Sequence, residues 1–214
     1  LTDDAWTKVL DVCKSEAKDS TKKITILVDI AYIDYAGEKN ETRRFLKQFS
    51  NLPANILGIL AFSMSKGYTM YGQRTGAMIG ISSSKEISKE FADINQYTSR
   101  ATWSNINNGA MATFVDVLLS QFEKERDGFY ELIKQRANIF MTEAKECGLN
   151  MLPYRAGFFI SIPSSDSDAV CNKLHDDLIY AVPLAAGVRI AVCAVPSRKI
   201  KGMAEKTLKA MKNC

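Results

Sequence analysis

The chain has 214 residues, enough for one large domain or two small ones with a buried core. Its hydrophobic fraction of 46% and charged fraction of 24% are those of an ordinary globular protein. The net charge of +4 is mild for a nucleic-acid binder, and no stretch approaches the ~18 consecutive apolar residues of a membrane helix. Neither nucleic acid nor a membrane is therefore an expected partner.

The first half of the chain alternates predicted helices and strands. A capping signal at Thr2 or Asp3 opens an amphipathic helix. The β-branched run KITILVDIAYIDYAG, residues 23–37, is apolar on both faces and predicts a buried parallel strand. ETRRFLKQFSNL predicts a helix and NILGILAFSMS a second strand, an order typical of an α/β fold. RTGAMIGISSS follows too closely for a crossover connection, so we expect this third strand to return antiparallel.

The second half begins with two more helices, residues 84–101 and 107–122, and a long one from Glu123 to Cys147 with Gly148 as its C-cap. AGFFISIP then predicts a strand, SDSDAVCNKLHDDL a helix capped by Ser167 or Asp168, and IYAVPLAAGVRIAVCAV a strand pair. A closing helix follows over residues 197–213. We expect residues 1–124 to belong to a large α/β domain, 125–148 to form a bridging helix, and 149–214 to form a small α+β domain.

The number and spacing of the cysteines indicate the cellular compartment. The chain has 5 of them, scattered and without metal-ligand or CxxC spacing. This pattern favours reduced thiols and a cytoplasmic protein, with no metal site.

A lysine lies at the end of the second predicted strand, in SMSKGYTMYGQRTG. A lysine amine has an ordinary pKa of ~10.4 and must lose its proton before it can attack a carbonyl. Ser63, Ser65 and Arg74, close to Lys66 in sequence, are the residue types that bind phosphate. A lysine beside a phosphate pocket is what pyridoxal phosphate requires. A single lysine at a strand end is, however, most often incidental.

Two residues, one at the end of the other predicted parallel strand and one just after it, fit the same cofactor. Asp29 ends this strand, where we expect a buried carboxylate that could face the cofactor's ring nitrogen. Tyr32 follows three residues later, where its phenol could reach the ring oxygen.

Four ordered segments resemble class I aminotransferases, in particular the aspartate and aromatic aminotransferase subgroup. SMSKGYTMYGQRTG resembles the cofactor-attachment motif, and DIAYIDYAG resembles the Asp-x-Ala-Tyr segment. SRATWSN and AAGVRIAVCAV resemble two further segments of the family. The resemblance runs along the whole chain and implies the carboxyl-terminal portion of a fold-type-I enzyme that depends on pyridoxal 5'-phosphate.

The resemblance also implies a role for each cofactor-binding residue. Lys66 would form the aldimine with the cofactor and move a proton during catalysis, and Tyr32 would hydrogen-bond the ring oxygen. Asp29 would pair with the ring nitrogen. The phosphate would be bound by three residues, Ser63, Ser65 and Arg74.

Two arginines are implied as substrate ligands. Arg189 would bind the α-carboxylate, and Arg100 would reach a dicarboxylate's distal carboxylate in the neighbouring subunit of a homodimer. Ile106 and Asn107 replace the family's proline pair, and Gly109 comes one position early, so the loop that presents Arg100 is expected to differ.

The expected reaction is amino transfer between an L-amino acid, with aspartate favoured over aromatic donors, and 2-oxoglutarate. The family's amino-terminal segments have no counterpart in this sequence, so we expect the 214-residue chain alone to be inactive. Two alternatives stay open: another enzyme of the same scaffold, such as a lyase or cyclising enzyme, and a non-catalytic binding domain.

Overall fold

The computed structural model describes residues 1–214 and divides into two compact units, Leu1–Glu123 and Lys124–Cys214. The first unit contains, in chain order, α1 (Asp3–Glu16), β1 (Ile24–Asp29), α2 (Lys39–Arg43), β2 (Ile56–Ser63), α3 (Met64–Gly67), β3 (Gly76–Ile81), α4 (Lys85–Thr102) and α5 (Asn108–Leu119). Short 3₁₀ turns cover Ile33–Tyr35, Arg44–Phe49 and Tyr71–Gln73. The α/β fold class is thereby confirmed.

The sheet of the first unit has the order β1-β2-β3. β1 and β2 are parallel and β2 and β3 antiparallel, as the lengths of their connections predict. The hydrophobic core of this unit lies between the sheet, α1 and the turn Arg44–Phe49. There the ring of Trp6 stacks on that of Phe45, with 5.0 Å between the ring centroids. The side-chain oxygen of Thr2 caps α1 by accepting from the amide of Ala5.

Two expectations for the first unit were wrong in part. β1 is buried on one face only, because Ile26 and Val28 enter the core while Leu27, on the opposite face, is 67% exposed. The strand ends at Asp29, as expected, so the rest of the β-branched run up to Gly37 lies outside it. The helix predicted over residues 41–52 divides into α2 and the 3₁₀ turn Arg44–Phe49.

The long helix α6 (Phe122–Cys147) has the predicted length and end. Gly148 adopts φ 77°, which is unstrained in glycine, and the amide of Leu149 donates to the carbonyl of Ala144 at 2.8 Å. This is the hydrogen bond of a Schellman C-cap. A separate bridging segment over residues 125–148 stays a prediction.

The second unit adds a small antiparallel sheet and short helices. These are β4 (Phe159–Pro163), α7 (Ser167–Leu174), β5 (Val182–Leu184), β6 (Gly187–Ala191), α8 (Ser197–Ile200) and α9 (Met203–Lys212). The sheet order is β4-β6-β5, and both pairs are antiparallel.

The ends of two helices in this unit differ from the prediction. Asp166, and neither Ser167 nor Asp168, caps α7 by accepting from the amide of Ala169 at 2.9 Å. The single closing helix is broken into α8 and α9 at Gly202, whose φ of 87° is incompatible with a continuous helix.

Candidate active site

The carboxyl ends of two parallel strands form one edge of the first unit's sheet. Asp29 ends β1 and is registered with Ala61 of β2, two residues before Ser63 ends that strand. Ligands of open α/β sheets bind outside this edge. Asp29 is nevertheless exposed, so the expectation of a buried carboxylate was wrong, because the outward-facing side chains of β1 are not covered. Its Oδ1 accepts a hydrogen bond from the amide of Ala31 at 2.9 Å.

Ser63 turns the chain from β2 into the short helix α3. Its backbone is extended, and its side-chain oxygen accepts from the amide of Ser65 at 3.1 Å, as a helix N-cap does. Ser65 is buried, whereas Lys66, the next residue, is only half-buried. The strand-to-helix turn therefore presents the lysine side chain directly after the sheet ends.

The Lys66 amine lies beside two phenol rings. Its Nζ is 4.2 Å from the ring centroid of Tyr71 and 5.6 Å from that of Tyr32. Both distances lie within the range of attraction between an ammonium ion and an aromatic face. Tyr32 and Lys66, predicted from separate segments, are thus neighbours in the folded unit.

Arg74 joins the same group. Its Nη1 donates to Ser65 Oγ at 3.2 Å and to the Tyr71 carbonyl at 2.9 Å, and its Cζ is 4.9 Å from the Tyr71 ring centroid. Its backbone is left-handed, with φ 52° and ψ 42°, a conformation that non-glycine residues seldom adopt. These contacts use one nitrogen of the guanidinium and leave the rest of its donor fork for another acceptor.

Tyr71 is the residue of this site that the sequence reasoning missed. Its ring lies beside both cations, Lys66 and Arg74, and is 60% exposed. An aromatic residue placed between a lysine and an arginine in one short loop was the available signal.

Arg100 lies in the last turn of α4 and is exposed. Its Nη1 donates to Ser104 Oγ at 2.7 Å, within the following loop, and Ser104 has a left-handed φ of 68°. The structure shows no hydrogen bond from Arg100 to the Lys66 group. The loop is tied to the segment before Arg74, however, because Asn107 Nδ2 donates to Gln73 Oε1 at 3.3 Å.

Arg189 lies in the second unit, at the centre of β6. It is paired with Ser161 of β4 and Val182 of β5, and its Cζ is 4.5 Å from the Phe159 ring centroid. Its Nε is buried and has no hydrogen-bond partner. Because a buried unsatisfied donor is costly, this guanidinium is suited to an anionic ligand.

At this edge of the sheet the structure brings together a lysine, an arginine and two serine hydroxyl groups. No helix combines the length and apolar character needed to cross a membrane, and no cluster of three or more His, Cys, Asp and Glu side chains has an arrangement for a metal ion.

Comparison with known proteins identifies the family. The sequence profile described as aminotransferase class I and II matches residues 1–206. The chain therefore belongs to the class I and II aminotransferase family.

Three relatives illustrate the similarity. An aminotransferase from Anaerococcus prevotii has 38% identity and a TM-score of 0.95, with 99% of this chain and 53% of that chain covered. An aromatic-amino-acid aminotransferase from Burkholderia pseudomallei, covalently bound to pyridoxal phosphate, has 23% identity and a TM-score of 0.77, with 99% and 52% covered. The aromatic-amino-acid aminotransferase of Escherichia coli K12 is 21% identical, with 96% of this chain and 51% of the relative covered. The chain spans about half the length of these relatives.

Proposed function

We propose that the protein is a pyridoxal-phosphate-dependent aminotransferase in which Lys66 anchors the cofactor. The observation that carries this proposal is the position of the Lys66 amine beside Tyr32 and Tyr71, with Arg74 hydrogen-bonded to Ser65 in the same group. Membership of the family supports the reaction class. The relative from Burkholderia pseudomallei, which is bound to pyridoxal phosphate, supports the cofactor.

The phosphate of the cofactor fits one side of this group. Arg74 offers the unused part of its donor fork, and the hydroxyls of Ser63 and Ser65 offer further donors. Ser63 and Ser65 both lie in the turn at the end of β2, and Ser65 Oγ accepts a hydrogen bond from Arg74. A dianionic phosphate is the ligand for which a forked cation and two hydroxyls are suited.

The remaining residues fit the ring and the aldehyde of the cofactor. The Lys66 amine would bond to the aldehyde carbon. The phenol of Tyr32, which lies beside Lys66, would donate a hydrogen bond to the ring oxygen. Asp29 ends the neighbouring strand and would hold a proton on the ring nitrogen. When bound, the cofactor supplies an electron sink for the electron pair released at the substrate Cα.

Protein groups supply the proton transfer and the substrate contacts. We assign to Lys66 Nζ the movement of a proton between the substrate Cα and the carbon that carries the aldehyde of the free cofactor. Arg189 would bind the α-carboxylate with its two-pronged guanidinium, and its unpaired buried Nε supports this role. Arg100, exposed in the last turn of α4, would bind the distal carboxylate of a dicarboxylic substrate.

The proposed amino donor and acceptor follow from the role of Arg100. An arginine that binds a second carboxylate favours aspartate as amino donor and 2-oxoglutarate as acceptor, with aromatic amino acids as the alternative. The resemblance of the Arg100 segment implies that this side chain serves the site of the other subunit, so we expect a homodimer. We also expect a cytoplasmic location, and we expect the 214-residue chain by itself to be inactive.

A transfer assay tests the proposal. The protein at its full encoded length should convert aspartate and 2-oxoglutarate to oxaloacetate and glutamate in equal amounts, and Lys66→Ala should abolish the reaction. Ammonia or a cyclised product in place of the new amino acid would favour the lyase or cyclising alternative. Equal activity in the Lys66→Ala protein would contradict the proposal.

A further inference from the structure

Asp34 and Gly67 lie in contact, although they are distant in sequence. Asp34 belongs to the 3₁₀ turn Ile33–Tyr35, just after Tyr32, and Gly67 follows Lys66 at the end of α3. A Cβ atom built on Gly67 would lie 2.0 Å from Asp34 Oδ2 and 3.0 Å from its Cγ. No residue larger than glycine can occupy position 67 while Asp34 keeps this position.

The carboxylate of Asp34 is held firmly in place. Its side chain is only 4% exposed, and its Oδ1 lies 2.5 Å from Arg43 Nη2. Arg43 is in turn fixed to α2, because its Nη1 donates to the carbonyl of Lys39 at 3.0 Å. If this buried carboxylate rotated away, it would lose its ion pair with Arg43, which is costly for a charge shielded from water.

This contact joins the two segments on which the candidate site depends. One segment carries Tyr32, two residues before Asp34, and the other carries Lys66, one residue before Gly67. Their side chains meet at 5.6 Å from amine to ring centroid. A shift of the turn at Gly67 would therefore displace the lysine amine relative to the phenol.

We propose that Asp34, fixed by Arg43, is a positioning residue that sets the location of the Lys66 amine by packing against Gly67. This inference rests on the proposed function, because its effect is read through the reaction of Lys66 with pyridoxal phosphate. Asp34 acts through the lysine turn and is not itself assigned a contact with cofactor or substrate.

The geometry predicts a specific rescue. Gly67→Ala places a methyl group against the carboxylate of Asp34. In the double variant with Asp34→Ala, the carboxyl group is gone and the nearest remaining atom of residue 34 is its Cβ, 3.5 Å away, an ordinary van der Waals distance. Arg43, whose side chain is 29% exposed, can then be solvated. Asp34→Ala should therefore relieve the steric clash that Gly67→Ala creates.

The experiment compares the wild type, Gly67→Ala, Asp34→Ala and the double variant at full encoded length. The rate at which added pyridoxal phosphate becomes attached to lysine is followed by its visible absorbance, together with the pH midpoint of that band. Gly67→Ala should slow attachment roughly tenfold or more and shift the midpoint by about 0.5 pH unit. Asp34→Ala, which lacks the positioning contact, should itself shift the midpoint away from the wild-type value. The double variant should match Asp34→Ala in midpoint and, within about threefold, in rate.

Each outcome decides the inference. A double variant much slower than Asp34→Ala, a Gly67→Ala protein equal to the wild type, or an Asp34→Ala protein equal to the wild type in rate and midpoint would overturn it. If Gly67→Ala fails to fold, which circular dichroism detects, recovery of a folded and reactive double variant still supports the contact, and a double variant that stays unfolded contradicts it. A wild type that shows no band overturns the proposed function, and the inference with it.

Discussion

The Nζ of Lys66 lies over the ring of Tyr71, 4.2 Å from its centroid. The guanidinium of Arg74 lies 4.9 Å from the same centroid and also hydrogen-bonds Ser65. One exposed aromatic ring thus contacts both cations of the candidate site. This arrangement brings the Lys66 amine and the Arg74 guanidinium to one ring, as the proposed binding of a cofactor with an aldehyde and a phosphate requires.

Removal of the Tyr71 ring should weaken cofactor binding. We expect Tyr71→Ala to lower the affinity for pyridoxal phosphate roughly two- to fivefold, since contacts between a cation and a ring are worth about 0.5–1 kcal/mol at exposed sites. Tyr71→Phe is the matched control and should bind as the wild type does, because it retains the ring. Equal losses in both variants, measured by equilibrium dialysis, would show that the hydroxyl and not the ring matters.

Arg74 should act on the phosphate alone. We expect Arg74→Ala to weaken pyridoxal phosphate roughly ten- to 100-fold, because hydrogen bonds to charged groups contribute about 1.5–3 kcal/mol. Binding of pyridoxal, which has no phosphate, should change by less than about twofold. The comparison needs only the two ligands and the two proteins, with affinities from fluorescence titration. Parallel losses for both ligands would refute the phosphate assignment.

Substitutions of Arg100 and Arg189 should affect dicarboxylic and aromatic substrates differently. Arg100→Ala should reduce kcat/KM for aspartate far more than for phenylalanine, roughly 100-fold against less than threefold, because only aspartate carries a distal carboxylate. Arg189→Ala should reduce both by similar factors, since every amino acid has an α-carboxylate. Equal effects of Arg100→Ala on both substrates would remove the basis for preferring dicarboxylates.

Cys171 should resist alkylation. Burial, and next the negative charge of Asp168, raise the pKa of the Cys171 thiol. It therefore stays protonated to a higher pH than an exposed thiol of ordinary pKa, ~8.5, and the thiolate is the reactive form. In native protein at pH 8 we expect iodoacetamide to label the exposed Cys214 well before Cys171, with mass spectrometry as the readout. Denaturant should remove the difference, and rapid native labelling of Cys171 would contradict its burial.

The same raised pKa has a consequence for stability. A thiol whose pKa is higher in the folded than in the unfolded chain stabilises the fold below the unfolded pKa, and this contribution is lost as the pH rises. Between about pH 8 and 10 we therefore expect the free energy of unfolding, measured by denaturant titration, to fall less in Cys171→Ser than in the wild type. An unchanged profile would show that other groups dominate it.

The sequence predicts the parts of the site that are close together along the chain. Ser63, Lys66 and Arg74 lie within one strand-to-helix segment, so their types and spacing are sufficient to place them. The antiparallel return of β3 also follows from a short connection. Such local signals survive because backbone geometry alone enforces them.

Contacts between distant segments were not predictable in this way. The packing of Asp34 against Gly67 and the exposure of Asp29 depend on which elements cover each face, and the periodicity of β1 does not reveal that. The break at Gly202 was missed because its flanking residues have good helix propensity. There, Glu143 of α6 accepts hydrogen bonds from the amides of Gly202 and Glu205, an interaction that only the folded unit brings together.

Reductive trapping tests the central claim most directly. The protein at its full encoded length is incubated with pyridoxal phosphate and reduced with borohydride, which fixes the cofactor to the amine it has reacted with. Peptide mass spectrometry should find the label on Lys66 in near-stoichiometric yield, and the Lys66→Arg protein should carry only scattered, substoichiometric labels. A wild type labelled at other lysines, with Lys66 unmodified, would contradict the assignment of this amine as the cofactor anchor.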